Sequence, residues 1–184
     1  GDFDGTTFFP EDDRVRFTDA GQDFYAAQTF EKVDGRRIWL GWLGNWRYPY
    51  SMPTGDWRNE MSIPRELSLT TRDGARILRQ EPIKELAGLR RQAVEITGAS
   101  ATDNVVSFGT ERVTEIDLVL DVSRASDAWL SLARGEVGGK LQEVRVGVDV
   151  AKGVFYLDRT NGGQQTVPGR DGGEAQFALR REVA

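Results

Sequence analysis

Short apolar runs broken by turn residues fill this chain, and almost none of them has helical spacing. The aromatic-rich segment Asp23-Phe24-Tyr25-Ala26-Ala27-Gln28-Thr29-Phe30 is followed by Asp34-Gly35 and then by Arg37-Ile38-Trp39-Leu40-Gly41-Trp42. Asp-Gly between two strand-like runs is a hairpin signal, because both residues tolerate the positive φ that a tight turn requires. Two further strands are predicted at Met61–Ile63 and Glu66–Thr70. A second hairpin turn is predicted at Asp73-Gly74, answered by Ala75–Gln80. After Pro82, Ile83, Leu86, Ala87 and Leu89 have helical spacing over a couple of turns, which predicts one short helix.

Past about residue 92 aromatics thin out and β-branched alternation takes over. Strands are predicted within Val113–Val122, Trp129–Ala133, Leu141–Val150 and Val154–Leu157. Gly138-Gly139, Gly162-Gly163 and Gly172-Gly173 supply the turns between antiparallel strands. The change of character places a module boundary near residues 82–94, and the second half reads as sheet of a sandwich.

Composition narrows the chemistry. The 184 residues carry a net charge of −5 and no basic stripe, which argues against a nucleic-acid partner. Histidine and cysteine are both absent. Ser-His and Cys-His catalytic pairs, disulfides and most zinc sites are therefore excluded, and no metal or cofactor is expected. No apolar run is long enough to span a bilayer as a helix, so no membrane partner is expected. The first residue is Gly1 with no signal-peptide pattern after it, and the expectation is a chain cut from something longer.

Three clusters could carry function. Gly1-Asp2-Phe3-Asp4-Gly5-Thr6-Thr7-Phe8 reads as a strand end with a turn. Asp19-Ala20-Gly21-Gln22-Asp23 puts two carboxylates at the entrance to an aromatic strand, which suits either pKa tuning of a catalytic acid or a plain acidic turn. The stretch from Gly41 to Arg58 is loop-like yet holds Trp42, Trp46, Tyr48, Tyr50 and Trp57. Its rings suit either a platform for the C–H faces of sugars or a core beneath a long loop.

Taken in order, Gly1–Gly5, Asp23–Phe30, Arg36–Trp42, Pro53-Thr54, Trp57–Leu67 and Gln80-Glu81-Pro82 resemble glycoside hydrolase family 32, the family of levanases, inulinases and invertases. Phe155-Tyr156-Leu157-Asp158-Arg159-Thr160 resembles, more loosely, part of the C-terminal sandwich of that family. The resemblance implies an all-β fold: the last blades of a five-bladed β-propeller at 1–81, a short helical connector at 82–94 and a partial β-sandwich at 95–184. It implies retaining hydrolysis of a fructofuranosyl bond by an Asp nucleophile and a Glu acid/base, in a protein that is extracellular or periplasmic rather than cytoplasmic. The motifs for both carboxylates are absent from this sequence and are expected upstream, in the missing N-terminal propeller portion. No catalytic residue is therefore expected in this chain, and alone it is expected to be inactive. By the same resemblance Asp19 supports the acid/base, and Trp46, Trp42, Tyr25 and Asn45 contact a fructan or sucrose-type carbohydrate. Where the family often has Lys three residues after that Asp, this chain has Gln22, which a cation-based role for the turn does not accommodate. A non-catalytic carbohydrate-binding or structural β fragment is the alternative reading.

Overall fold

Both Asp-Gly pairs form the turns that their chemistry demands. Asp34 and Gly35 have φ of 44° and 75°, and Asp73 and Gly74 have 51° and 78°. Two consecutive positive φ values define the turn whose twist matches that of antiparallel strands. A computed structural model describes residues 1–31, 33–91, 93–97 and 113–184.

The chain begins with a small ribbon, β1 (Asp2–Phe3) against β2 (Phe8–Phe9). Its turn is held by Asp4, whose Oδ1 accepts the backbone N–H groups of Thr6 at 2.8 Å and Thr7 at 2.7 Å. Then follow β3 (Tyr25–Thr29), β4 (Arg37–Leu43), β5 (Glu60–Met61), β6 (Arg65–Arg72) and β7 (Ala75–Pro82). They form one antiparallel sheet of order β3-β4-β6-β7, with β5 pairing to β4 beyond the end of β6. The segment expected as a strand from Met61 to Ile63 pairs only at Glu60–Met61. The β3–β4 register shifts between Tyr25 and Gln28, where Ala26 has φ of 49°, so a bulge interrupts the ladder.

The short helix expected after Pro82 is a 3-10 helix, Lys84–Leu89, without a side-chain cap. It is tethered by Arg36, whose Nε donates to Glu66 at 2.8 Å and whose Nη1 donates to Glu85 at 2.6 Å. The Arg36 hydrogen bond holds the Glu85 carboxyl down to about 2.

In the second half, β8 (Asp127–Val137), β9 (Lys140–Asp149), β10 (Val154–Asp158) and β13 (Arg180–Val183) make a four-stranded antiparallel sheet, β13-β10-β9-β8. Between β10 and β13 the chain forms a separate hairpin, β11 (Thr166–Pro168) and β12 (Glu174–Gln176). The strand expected within Val113–Val122 is not formed: the segment is largely exposed and makes no ladder with a described strand. Its alternation reports side-chain preference, and a ladder also needs a partner edge. The start of the second module, residues 98–112, lies outside the described residues.

The two halves meet at a buried apolar cluster of Tyr48, Val167, Ala175 and Phe177, with Met52 packed against it. Tyr48 comes from the aromatic loop after β4, and the other three buried residues come from the β11–β12 hairpin and the residue that follows it. The aromatic loop therefore reaches across to the second half, with Tyr48 as its buried anchor.

Candidate carbohydrate site

Tyr25 and Trp42 are partners in the β3–β4 register, and their rings stand edge to face with centroids 6.2 Å apart. Just past the strand, Trp46 packs edge-on to Trp42 at 5.2 Å. Gly44 makes this fold-back possible, because a Cβ there would overlap the Trp42 indole. Three of the sequence-predicted residues thus form one aromatic row. Its two ends are open, Tyr25 being 54% and Trp46 50% exposed.

Trp46 lines an open cavity of about 430 Å³ with Arg47 and, from the β11–β12 hairpin, Arg170, Asp171, Glu174 and Ala175. The Arg170 guanidinium sits over the Trp46 ring at 5.7 Å, and the Arg170 N–H donates to the Arg47 carbonyl at 2.7 Å. Such a cavity offers what sugar hydroxyls and ring faces require: an indole surface, guanidinium donors and carboxylate acceptors.

Asn45 is bound within the protein. Its Nδ2 donates to the Gln22 carbonyl at 3.2 Å, and its Oδ1 accepts the Arg47 N–H at 2.9 Å. It therefore ties the aromatic loop to the acidic turn, and both ends of its amide are engaged in doing so.

Asp19 stands apart from the Trp46 cavity. It lines a second cavity, of about 460 Å³, with Gln22, Asp23, Tyr156, Arg159, Phe177 and Arg181 among others. Its Oδ1 accepts the Gly21 N–H at 2.7 Å, and its Oδ2 pairs with Arg65 Nη1 at 2.7 Å. Arg65 is held in turn by Gln80 Oε1 at 3.1 Å and by the Phe24 ring, 4.6 Å away. The cation that a neutral Gln22 does not supply is therefore present as Arg65, reaching the turn from β6.

Gln22 and Asp23 face the second half. The Gln22 side-chain amide donates to the Gln176 carbonyl at 3.1 Å and accepts the Ala178 N–H at 2.5 Å. Asp23 Oδ1 accepts the Tyr48 phenol at 2.6 Å. Burial, reinforced by that bond, pushes the Tyr48 phenol above its usual range. Sequence reasoning missed Arg65, Arg170 and Phe177 as members of this region. Arg65 lies within the Trp57–Leu67 stretch that carries the family resemblance, whereas Arg170 and Phe177 arrive from a distant hairpin that nothing local announces.

Among the described residues no group of three or more Asp and Glu side chains is placed to hold a metal ion. No described helix is long and apolar enough to cross a membrane. The arrangement can bind and orient a sugar, and it fixes one carboxylate beside a guanidinium.

Residues 1–82 match the Glycosyl hydrolases family 32 N-terminal domain. The chain is 37% identical over 175 residues to the levanase of Bacillus subtilis, covering 90% of this chain and 25% of that protein. It is 31% identical over 181 residues to the extracellular exo-inulinase of Meyerozyma guilliermondii, covering 88% of this chain and 33% of that one. It thus spans a quarter to a third of the length of these relatives. Among solved structures, a fructofuranosidase from Schwanniomyces occidentalis complexed with fructosylnystose superposes with a TM-score of 0.60 at 23% identity, covering 100% of this chain and 38% of that one. The fold is all-β, and it corresponds to the last blades of the propeller and part of the sandwich of those neighbours.

Proposed function

Because this chain belongs to glycoside hydrolase family 32, we propose that it forms the closing blades of the propeller and the first part of the sandwich in a retaining enzyme that cleaves fructan or sucrose-type fructofuranosyl bonds. The observation that carries this reading is the family match over residues 1–82, which contains the whole aromatic row of Tyr25, Trp42 and Trp46. The nucleophile and the acid/base belong to the upstream propeller portion, which is the principal partner of this chain. Within the chain, residues 1–81 are propeller, 82–94 connector and 95–184 sandwich. Exposed Phe3, Phe8, Phe9 and Phe17 in the first segment support an extensive contact with further propeller structure. Trp46 and Trp42 stack on the sugar, Tyr25 closes the row, and Asn45 acts by holding the loop rather than by touching substrate. Asp19 supports the acid/base from the turn that Arg65 fixes. An extracellular or periplasmic site of action fits an enzyme whose polymeric substrate lies outside the cell, and a relative is named extracellular.

The test is to assay the intact natural protein on levan, inulin and sucrose, with this chain alone as the control. Fructose release by the intact protein, with none from the chain, is the expected result. An intact protein that binds these sugars without releasing fructose would leave the aromatic cavity as a binding site and sink the hydrolase reading.

A further inference from the structure

Position 22 is occupied by a side chain whose chemistry the structure uses in full. The Gln22 amide donates to the Gln176 carbonyl and accepts from the Ala178 N–H. These are the carbonyl and amide that a chain presents two residues apart on one edge. Only a carboxamide satisfies both at once: lysine donates without accepting, ionised glutamate accepts without donating, and asparagine is a methylene shorter. The contact joins residues that are 154 apart in sequence. Two further links bind the aromatic loop to the turn, Asn45 to the Gln22 carbonyl and Tyr48 to Asp23, while Tyr48 itself packs on Phe177 of the second half. The segment Gln176–Ala178 is thereby bound to the C-terminal end of the acidic turn and, through Asn45 and Tyr48, to the aromatic loop.

We propose that Gln22 is a positioning residue that docks the Asp19–Asp23 turn onto the second half, so that the sandwich segment sets the orientation of the carboxylate beside the catalytic acid. Gln22 touches no sugar and acts through the turn. The proposal rests on the reading that this turn serves the acid/base of a family 32 hydrolase. It also gives the departure at position 22 a physical meaning: the charge is delivered by Arg65, which leaves residue 22 free to act as a two-way hydrogen-bonding dock.

The experiment uses the intact natural protein with Gln22→Met, which keeps the length and removes both bonds, together with Gln22→Glu and Gln22→Lys. Amide hydrogen exchange is read at Ala178, and the pH profile of kcat/KM on inulin is read alongside it. Gln22→Met is expected to speed Ala178 exchange about tenfold and to move the alkaline limb of the profile by about half a pH unit. Gln22→Glu still accepts the Ala178 N–H and keeps it protected, while Gln22→Lys exposes it. Unchanged Ala178 exchange in Gln22→Met overturns the dock. Faster exchange with an unmoved limb and only a lower Tm overturns the positioning role and leaves a structural tie. A natural protein that releases no fructose removes the catalytic reading, and the positioning role with it. The exchange pattern across the three variants still decides whether the dock exists.

Discussion

Tyr48 and Phe177 stand edge to face across the junction of the two halves, with ring centroids 5.1 Å apart and planes at 83°. Tyr48 is wholly buried, and Phe177 carries the Arg159 guanidinium 5.0 Å from its ring centre. Truncation of Phe177 removes the far wall of the cluster and leaves a cavity that a two-sided contact cannot easily close. Phe177→Ala is expected to cost about 3–5 kcal/mol, at the level of a buried aromatic. Urea denaturation with separate probes in each half is the measurement. Loss of coincident transitions is expected, since this cluster is the buried apolar contact between the halves, and coincident transitions in the variant would refute it.

The phenol of Tyr48 adds a polar bond to the same contact. Tyr48→Phe keeps the ring and deletes the 2.6 Å bond to Asp23, an expected loss of about 1–2 kcal/mol at neutral pH. Equilibrium unfolding of the two proteins side by side measures it. A difference below a few tenths would mean that Asp23 finds water as good a partner.

The first sheet was legible because its signals are local. Asp34-Gly35 and Asp73-Gly74 each specify a turn within four residues, and the aromatic run at Tyr25 and the apolar run at Ile38–Trp42 find partners across it. The Val113–Val122 alternation looked equally strand-like, yet alternation cannot say whether an edge is available to pair with. The aromatic row could be read as rings, but Trp42 and Tyr25 become register partners only through the bulge at Ala26, which the hairpin signal does not announce. Arg170 over Trp46, Phe177 on Tyr48 and Gln176 under Gln22 could not be read, since each depends on where a distant hairpin docks.

Acid should weaken the second sheet through Glu143. This carboxylate is 3% exposed and accepts Ser131 Oγ at 2.8 Å and Arg145 Nε at 2.7 Å. The Ser131 bond first, and Arg145 after it, hold its pKa below the usual 4.5 against the opposing effect of burial. A carboxyl depressed in the folded state contributes stability above its unfolded pKa and loses it as pH falls through the folded value. Glu143→Gln is expected to unfold at lower urea near pH 7, by about 1–3 kcal/mol. The gap to the wild type should narrow as pH falls below 4.5. A gap that stays constant across that range would show that the carboxylate is equally bound in the unfolded chain.

At the alkaline end of the pH range Tyr156 contributes in the second sheet. Burial, and then its hydrogen bond to Asp127 at 3.0 Å, push its phenol up to about 12 from 10. The sign is opposite to that of Glu143. The contribution is complete below the unfolded value near 10 and fades as pH rises through the folded value near 12. A spectrophotometric titration of the phenolate band is expected to lose its step near 12 in Tyr156→Phe. Persistence of that step in the variant would assign it to another phenol.

Trp46 is where sugar affinity should concentrate, because its half-exposed ring opens on the cavity that the Arg170 hairpin completes. In the intact enzyme, Trp46→Ala removes the stacking surface for a fructosyl ring, while Trp46→Phe keeps a smaller one. Stacking on this scale is about 1.4 kcal/mol, so kcat/KM on inulin is expected to fall about tenfold in the alanine variant and less in phenylalanine. Steady-state kinetics on sucrose and inulin, with Tm as a control for folding, separates loss of binding from loss of structure. An alanine variant with unchanged kcat/KM and unchanged Tm would place the sugar elsewhere. The Trp42–Trp46 contact would then be the packing of a loop and not the floor of a site.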